Sequence, residues 1–114
     1  MSTRHDDGPR VDLVLREIGL LASITARSDR PAFAEDPVLQ HAAVMALLNV
    51  GEIANRLSVS TRELAPDVPW TRIIGLRNVS AHGYATLDMA DIWETMATDV
   101  PELGSKLQTL RAAL

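Results

Sequence analysis

Eight consecutive residues near the middle of the chain, Arg77-Asn78-Val79-Ser80-Ala81-His82-Gly83-Tyr84, set a guanidinium, a carboxamide, an imidazole and a phenol inside an Ala- and Leu-rich sequence. Arginine stays charged and meets phosphate oxygens with two parallel N–H donors, while histidine gives and takes protons near neutral pH. The pair suits phosphoryl chemistry on RNA without a metal. His82 would shuttle the proton of a 2′-hydroxyl attacking the adjacent phosphate, and Arg77 would stabilise charge developing on the phosphoryl oxygens. Asn78 would orient His82 or bind the phosphate. The competing reading is structural: Arg77 pairs with an acid, His82 caps a helix C-terminus and Tyr84 packs on the rim.

Helical geometry constrains these roles. At about 100° per residue, Asn78 and His82 share a face, whereas Arg77 and His82 diverge by roughly 140°. Either Arg77 reaches round, or the helix ends at His82, or the site is shared between two chains whose helices run antiparallel across a two-fold axis. Gly83 is suited to stop the helix and to place Tyr84 outside it.

The elements that must position the cluster read as helices. Val11 to about Ala26 carries apolar residues at Val14, Ile18 and Leu21, and again at Leu13, Leu20 and Ile24, the spacing of an amphipathic helix. Arg27 to Glu35 is a polar connection. Asp36-Pro37 then starts a long second helix running to about Leu57, since Pro is tolerated in the first turn behind a capping Asp. That helix is apolar over much of its circumference (Val38, Leu39, Ala42, Met45, Leu48, Val50 among others), which implies a bundle centre or a dimer face. Ser58 to Pro69 reads as a connection with one short turn around Thr61 to Leu64. Pro69-Trp70 opens a third helix through Ile73, Ile74 and Leu76 into the cluster. Asp88 caps a fourth helix with Ile92, Trp93 and Met96, and Pro101 marks a kink or the start of a last helix.

Composition bounds the class. A chain of 114 residues with 46% hydrophobic content buries one core, and 4% aromatic content with little alternation favours helix against helix. The expected fold is an all-α single-domain bundle of about four to five helices over 11–114, behind a disordered tail over 1–10. No run of 18 apolar residues is present to span a membrane, residues 1–10 do not look like a secretory signal, and the absence of Cys fits a reducing compartment; a cytoplasmic protein is expected. The net charge of −4 argues against nonspecific coating of nucleic acid. Its distribution is uneven. Gly51 to Tyr84 carries a local balance of +1 through Arg56, Arg62, Arg72 and Arg77, and Ala85 to Leu114 a balance of −3.

Few other residues compete. Glu52, in an apolar helix, is a candidate partner of Arg77 or His82 or one half of a structural salt bridge. His41 reads as a core-edge or interface residue, and His5 belongs to the tail. Three scattered His without a carboxylate at ligand spacing make no metal site. Trp70 and Trp93 read as core anchors. No glycine-rich phosphate loop is present, so no nucleotide cofactor is expected on this chain.

The stretch R-N-V-S-A-H-G-Y resembles the R-x-x-x-x-H-x-Y motif of HepT-type toxins in the HEPN superfamily. Asn49-Val-Gly-Glu-Ile-Ala-Asn-Arg-Leu-Ser58 resembles that family's "I-G-E-A" segment on the long helix. Pro66 to Asn78 (P-D-V-P-W-T-R-I-I-G-L-R-N) resembles its "P-x-I-P-W-x-x-I-x-G-M-R-N" approach to the motif, Asp88 with Ile92-Trp93 its "D…I-W", and Val100-Pro-Glu-Leu103 its "L-P-x-L". Ser80 and Ala81 fill positions where many members carry larger apolar residues. The resemblance, over roughly Asp12 to Leu110, implies a HEPN-like bundle dimerising through the motif-bearing face. It implies the toxin of a type VII-like toxin–antitoxin module: a metal-independent endoribonuclease with Arg77 and His82 as nuclease residues. It further implies a cognate MntA-like nucleotidyltransferase antitoxin that transfers AMP from ATP to Tyr84, so that ATP serves the partner and this chain needs no cofactor. The alternative is a catalytically inactive binding module that docks the nucleotidyltransferase and serves as its substrate.

Overall fold

The computed structural model describes residues 4–78 and 87–114. Among them every element is helical: α1 (Arg4–Arg27), α2 (Arg30–Ala34), α3 (Pro37–Arg56), α4 (Val59–Glu63), α5 (Trp70–Gly75), a 3₁₀ turn (Leu76–Asn78), α6 (Met89–Glu94), a π-turn (Thr95–Asp99) and α7 (Val100–Ala112). The expected all-α bundle is what forms, with the short α2, α4 and α5 set between the long elements.

The long helices follow from their apolar spacing and caps. In α1, Val11, Val14, Ile18, Leu21 and Ile24 are all buried and turn one face toward α3 and α7. Leu13 and Leu20, expected on an inward face, remain about half exposed at 49% and 53%. Asp36 caps α3 by accepting from the backbone N–H groups of Val38 (3.0 Å) and Leu39 (3.1 Å), a contribution of about 1 kcal/mol. α3 is the central helix. Ala43, Ala46, Leu47, Val50 and Ala54 are buried against α1 and α5, while Val38 and Met45 stay exposed.

Two features depart from the sequence reading. Arg27 to Glu35 is more than a connection: Asp29 accepts from the Ala32 N–H at 2.8 Å and caps α2, which drives Phe33 into the core at 1% exposure. Its ring lies 5.4 Å from that of Trp93 at 46°, a tilted aromatic pair whose truncation to Ala would cost about 3–5 kcal/mol. The expected tail is also corrected over 4–10, because α1 is already formed at Arg4 and Asp7 is fully buried. Asp7 Oδ2 accepts from the Ser58 backbone N–H (2.9 Å), the Ser58 hydroxyl (2.8 Å) and the Thr61 hydroxyl (2.6 Å), and Arg10 donates to Oδ1 at 3.2 Å. The start of α1 is thereby locked onto the first turn of α4. A polar stretch without apolar periodicity hides such a clamp.

The C-terminal half is one helical run with a fault in it. Asp88 caps α6 through the Ala90 N–H at 2.9 Å, and Ile92, Trp93 and Met96 are buried. The ladder then widens into the π-turn just before Pro101, which has no N–H and whose ring would meet the carbonyl four residues back. Arg111 closes α7 onto α1 by donating to both Asp12 oxygens, at 2.9 and 3.3 Å.

Candidate functional site

Arg77 is held at the end of a short, well-anchored helix. α5 begins at Trp70, whose indole N–H donates to the carbonyls of Arg62 and Ala65, both at 3.0 Å, so the ring is an anchor as expected. Ile73 is buried and Ile74 and Leu76 pack against the core. The α-helix ends at Gly75 and tightens into the 3₁₀ turn Leu76–Asn78, which rests on α3. The expected continuous α-helix into the cluster is therefore corrected. Over 76–78 successive side chains rotate by about 120° rather than 100°; the 140° divergence drawn for Arg77 and His82 runs on through residues outside the described ones.

Gly51, one of the buried positions of α3, has no side chain to keep the turn away. A Cβ built there would lie 2.4 Å from the Arg77 backbone nitrogen, 3.0 Å from the Ile74 carbonyl oxygen and 3.0 Å from the Leu76 carbonyl carbon. Sequence reading used Gly51 only as part of a motif. The signal that could have found its role is a glycine inside an otherwise apolar helix, which marks close backbone approach when it is not simply destabilising.

Arg77 and Asn78 are exposed, and Arg77 has no acidic partner among the described residues. The structural alternative in which Arg77 is spent in a salt bridge thus finds no support there. His82 and Tyr84, with Val79, Ser80, Ala81 and Gly83, lie outside the described residues. Glu52 is half-buried on α3 next to Gly51 and makes no ion pair among the described residues. His41 is exposed on α3, with its Nδ1 2.7 Å from the Pro37 carbonyl.

The arginines expected to gather around the cluster divide between duties. Arg72 is paired with Asp99 at 2.7 Å, and the Nε of Arg62 is buried without a partner among the described residues. Beside α5 a groove of about 270 Å³ runs between α5, the π-turn and α7, lined by Arg72, Leu76, Thr95, Asp99, Leu103 and Lys106. Its cations are neutralised by its own acids, Arg72 by Asp99 and Lys106 by Glu102 at 3.2 Å, so it offers little pull on a polyanion. On the acidic C-terminal half, hydrogen bonds from Arg30 (2.5 Å) and Thr98 hold the Glu94 carboxyl below its usual range. Among the described residues no group of three or more His, Cys, Asp or Glu is placed to hold a metal ion.

An exposed guanidinium on a tight turn, in an all-α bundle and next to a His-containing motif, defines a class before it defines a protein. The family model described as ribonuclease HepT-like matches residues 14–110. The chain therefore belongs to the HepT-like ribonucleases, within the HEPN superfamily. It is 28% identical over 111 residues to a Thermococcus cleftensis protein named probable ribonuclease HepT, covering 97% of this chain and 99% of that one. It is 31% identical over 102 residues to a provisionally named RNase of Caldanaerobacter subterraneus subsp. tengcongensis, covering 90% and 91%. A provisionally named RNase of Methanocaldococcus jannaschii is 27% identical over 95 residues, covering 83% and 87%. No solved structure gives a significant match.

Proposed function

We propose that this protein is the toxin of a two-gene toxin–antitoxin module, a metal-independent endoribonuclease silenced by AMP transfer to Tyr84. The observation that carries the reading is Arg77, exposed, without an acidic partner among the described residues and fixed on a turn that its own helix anchors. His82 takes the proton from an RNA 2′-hydroxyl as its oxygen bonds to the adjacent phosphorus, and the bond to the 5′-oxygen breaks with return of a proton to that oxygen. The products are a 2′,3′-cyclic phosphate and a 5′-hydroxyl. Arg77 neutralises charge on the phosphoryl oxygens, and Asn78 holds the phosphate or orients His82.

The working unit is a homodimer. Val38 (77% exposed), Ala42 and Met45 (58% exposed) recur at spacings of four and three along α3, and Asn49 and Glu52 continue that line toward the turn that bears Arg77. A second copy packed on this stripe brings two motifs to one cleft. The MntA-like nucleotidyltransferase partner would join the Tyr84 phenol oxygen to the α-phosphate of ATP and release pyrophosphate. The bound AMP then competes with RNA for Arg77, as an anion placed opposite a cation does. The test is RNA cleavage in EDTA by the unmodified protein beside Arg77→Ala and His82→Ala. Folded variants that still cleave at the parent rate would overturn the roles, and an inactive parent would leave the binding-module function as the answer.

A further inference from the structure

We infer that Gly51 is a positioning residue for the nuclease site: its missing side chain is what sets the height at which Arg77 stands above α3. The inference rests on the nuclease reading above and adds to it a residue on a different helix. Three backbone atoms of the α5 end lie within 3.0 Å of where a Cβ at position 51 would be, and the nearest is the nitrogen of Arg77 itself. These are main-chain atoms, which cannot swing away as the tip of a side chain does. Ordinary contact begins near 3.4 Å, so a methyl group there displaces the turn by about 1 Å.

The other helical glycines among the described residues do not share this property. Gly75, only two residues before Arg77, has nothing within 4 Å of a Cβ, and at Gly104 the nearest atom is a side-chain methyl, Ile18 Cγ2, at 3.3 Å. Steric demand for glycine against backbone is thus concentrated where α3 meets the Arg77 turn. The start of α5 is pinned by the Trp70 indole and its middle by buried Ile73, so the turn cannot follow by sliding the whole helix. Displacement falls on Leu76, Arg77 and Asn78. A shift of about 1 Å at a group that must meet a phosphoryl oxygen costs on the order of 10²-fold in rate.

The experiment compares single-turnover cleavage of one RNA oligonucleotide in EDTA by the parent, Gly51→Ala, Gly75→Ala and Gly104→Ala, each also made in an Arg77→Lys background. Gly51→Ala is expected to lose roughly 10²-fold in the chemical rate, with Gly75→Ala and Gly104→Ala near the parent. In the Arg77→Lys background, where two-point phosphate geometry is already gone, Gly51→Ala is expected to cost less than about 5-fold. Equal losses in both backgrounds, or a fully active Gly51→Ala, would overturn the inference while leaving the nuclease reading intact. A parent rate in Arg77→Lys and Arg77→Ala would instead remove the nuclease role of Arg77 itself, and this inference with it. A measurement on the parent covers the case in which Gly51→Ala does not fold: the Arg77 amide, covered by Gly51, should exchange slowly with solvent deuterium. Exchange at the rate of an open turn would overturn the inference.

Discussion

Replacing Asp7 with Ala removes the acceptor that holds the start of α1 to α4. The Ser58 and Thr61 hydroxyls are already 2.9 Å apart and can satisfy each other, so the donor left stranded is the Ser58 backbone N–H. Hydrogen bonds to a charged group are worth about 1.5–3 kcal/mol each and a buried unsatisfied donor costs about 1–3. Once the carboxylate no longer has to be desolvated, a net loss of about 2–4 kcal/mol remains. At about 4 °C per kcal/mol for a domain of this size, the melting temperature should fall by about 8–16 °C. The pH dependence gives the sharper test. Burial pushes the Asp7 carboxyl up, but the hydrogen bonds from Thr61, Ser58 and Arg10 outweigh it and hold the group below its ordinary value. A depressed carboxyl stabilises the fold fully above the unfolded pKa of about 3.9 and loses that contribution as pH falls through the lower folded value. Thermal melts by circular dichroism from pH 7 to pH 2.5 should show the gap between the parent and Asp7→Ala constant down to about pH 5 and closing below it. A gap under about 1 kcal/mol at pH 7, or one unchanged at pH 2.5, would refute the clamp.

The dimer through α3 is open to a single charge: Met45→Glu should give a folded monomer by light scattering where the parent gives a dimer, and an unchanged mass would place the interface elsewhere. Control at Tyr84 predicts that Tyr84→Phe cleaves RNA like the parent but takes up no AMP from ATP in the presence of the nucleotidyltransferase. Uptake by Tyr84→Phe would move the acceptor to another residue.

The long helices were legible because burial on one face writes a period of three to four into the residues, and Asp36 and Asp88 cap where such residues should. Phe33 was not, since a single aromatic on a five-residue helix shows no period and its burial depends on Trp93, sixty residues away in the chain. Asp7 was hidden for the same reason: its partners Ser58 and Thr61 are brought to it only by the fold. At the candidate site, Arg77 and Asn78 stand out by residue type, but the 3₁₀ turn that carries them packs on α3 at Gly51, a tertiary contact that residue spacing does not record. Periodicity therefore projected a straight α-helix where the chain tightens. The wide apolar face of α3 implies a bundle centre or a dimer face; Ala43, Leu47 and Val50 lie in the core, whereas Val38 and Met45 stand outside it.

The central claim, an Arg77/His82 nuclease, is tested most directly by incubating unmodified protein with a mixed RNA pool in EDTA, beside identically prepared His82→Ala. The account predicts cleavage by the parent alone, with 2′,3′-cyclic phosphate ends. Equal cleavage by folded His82→Ala, or none by a parent that mass spectrometry confirms to be unmodified at Tyr84, would contradict it.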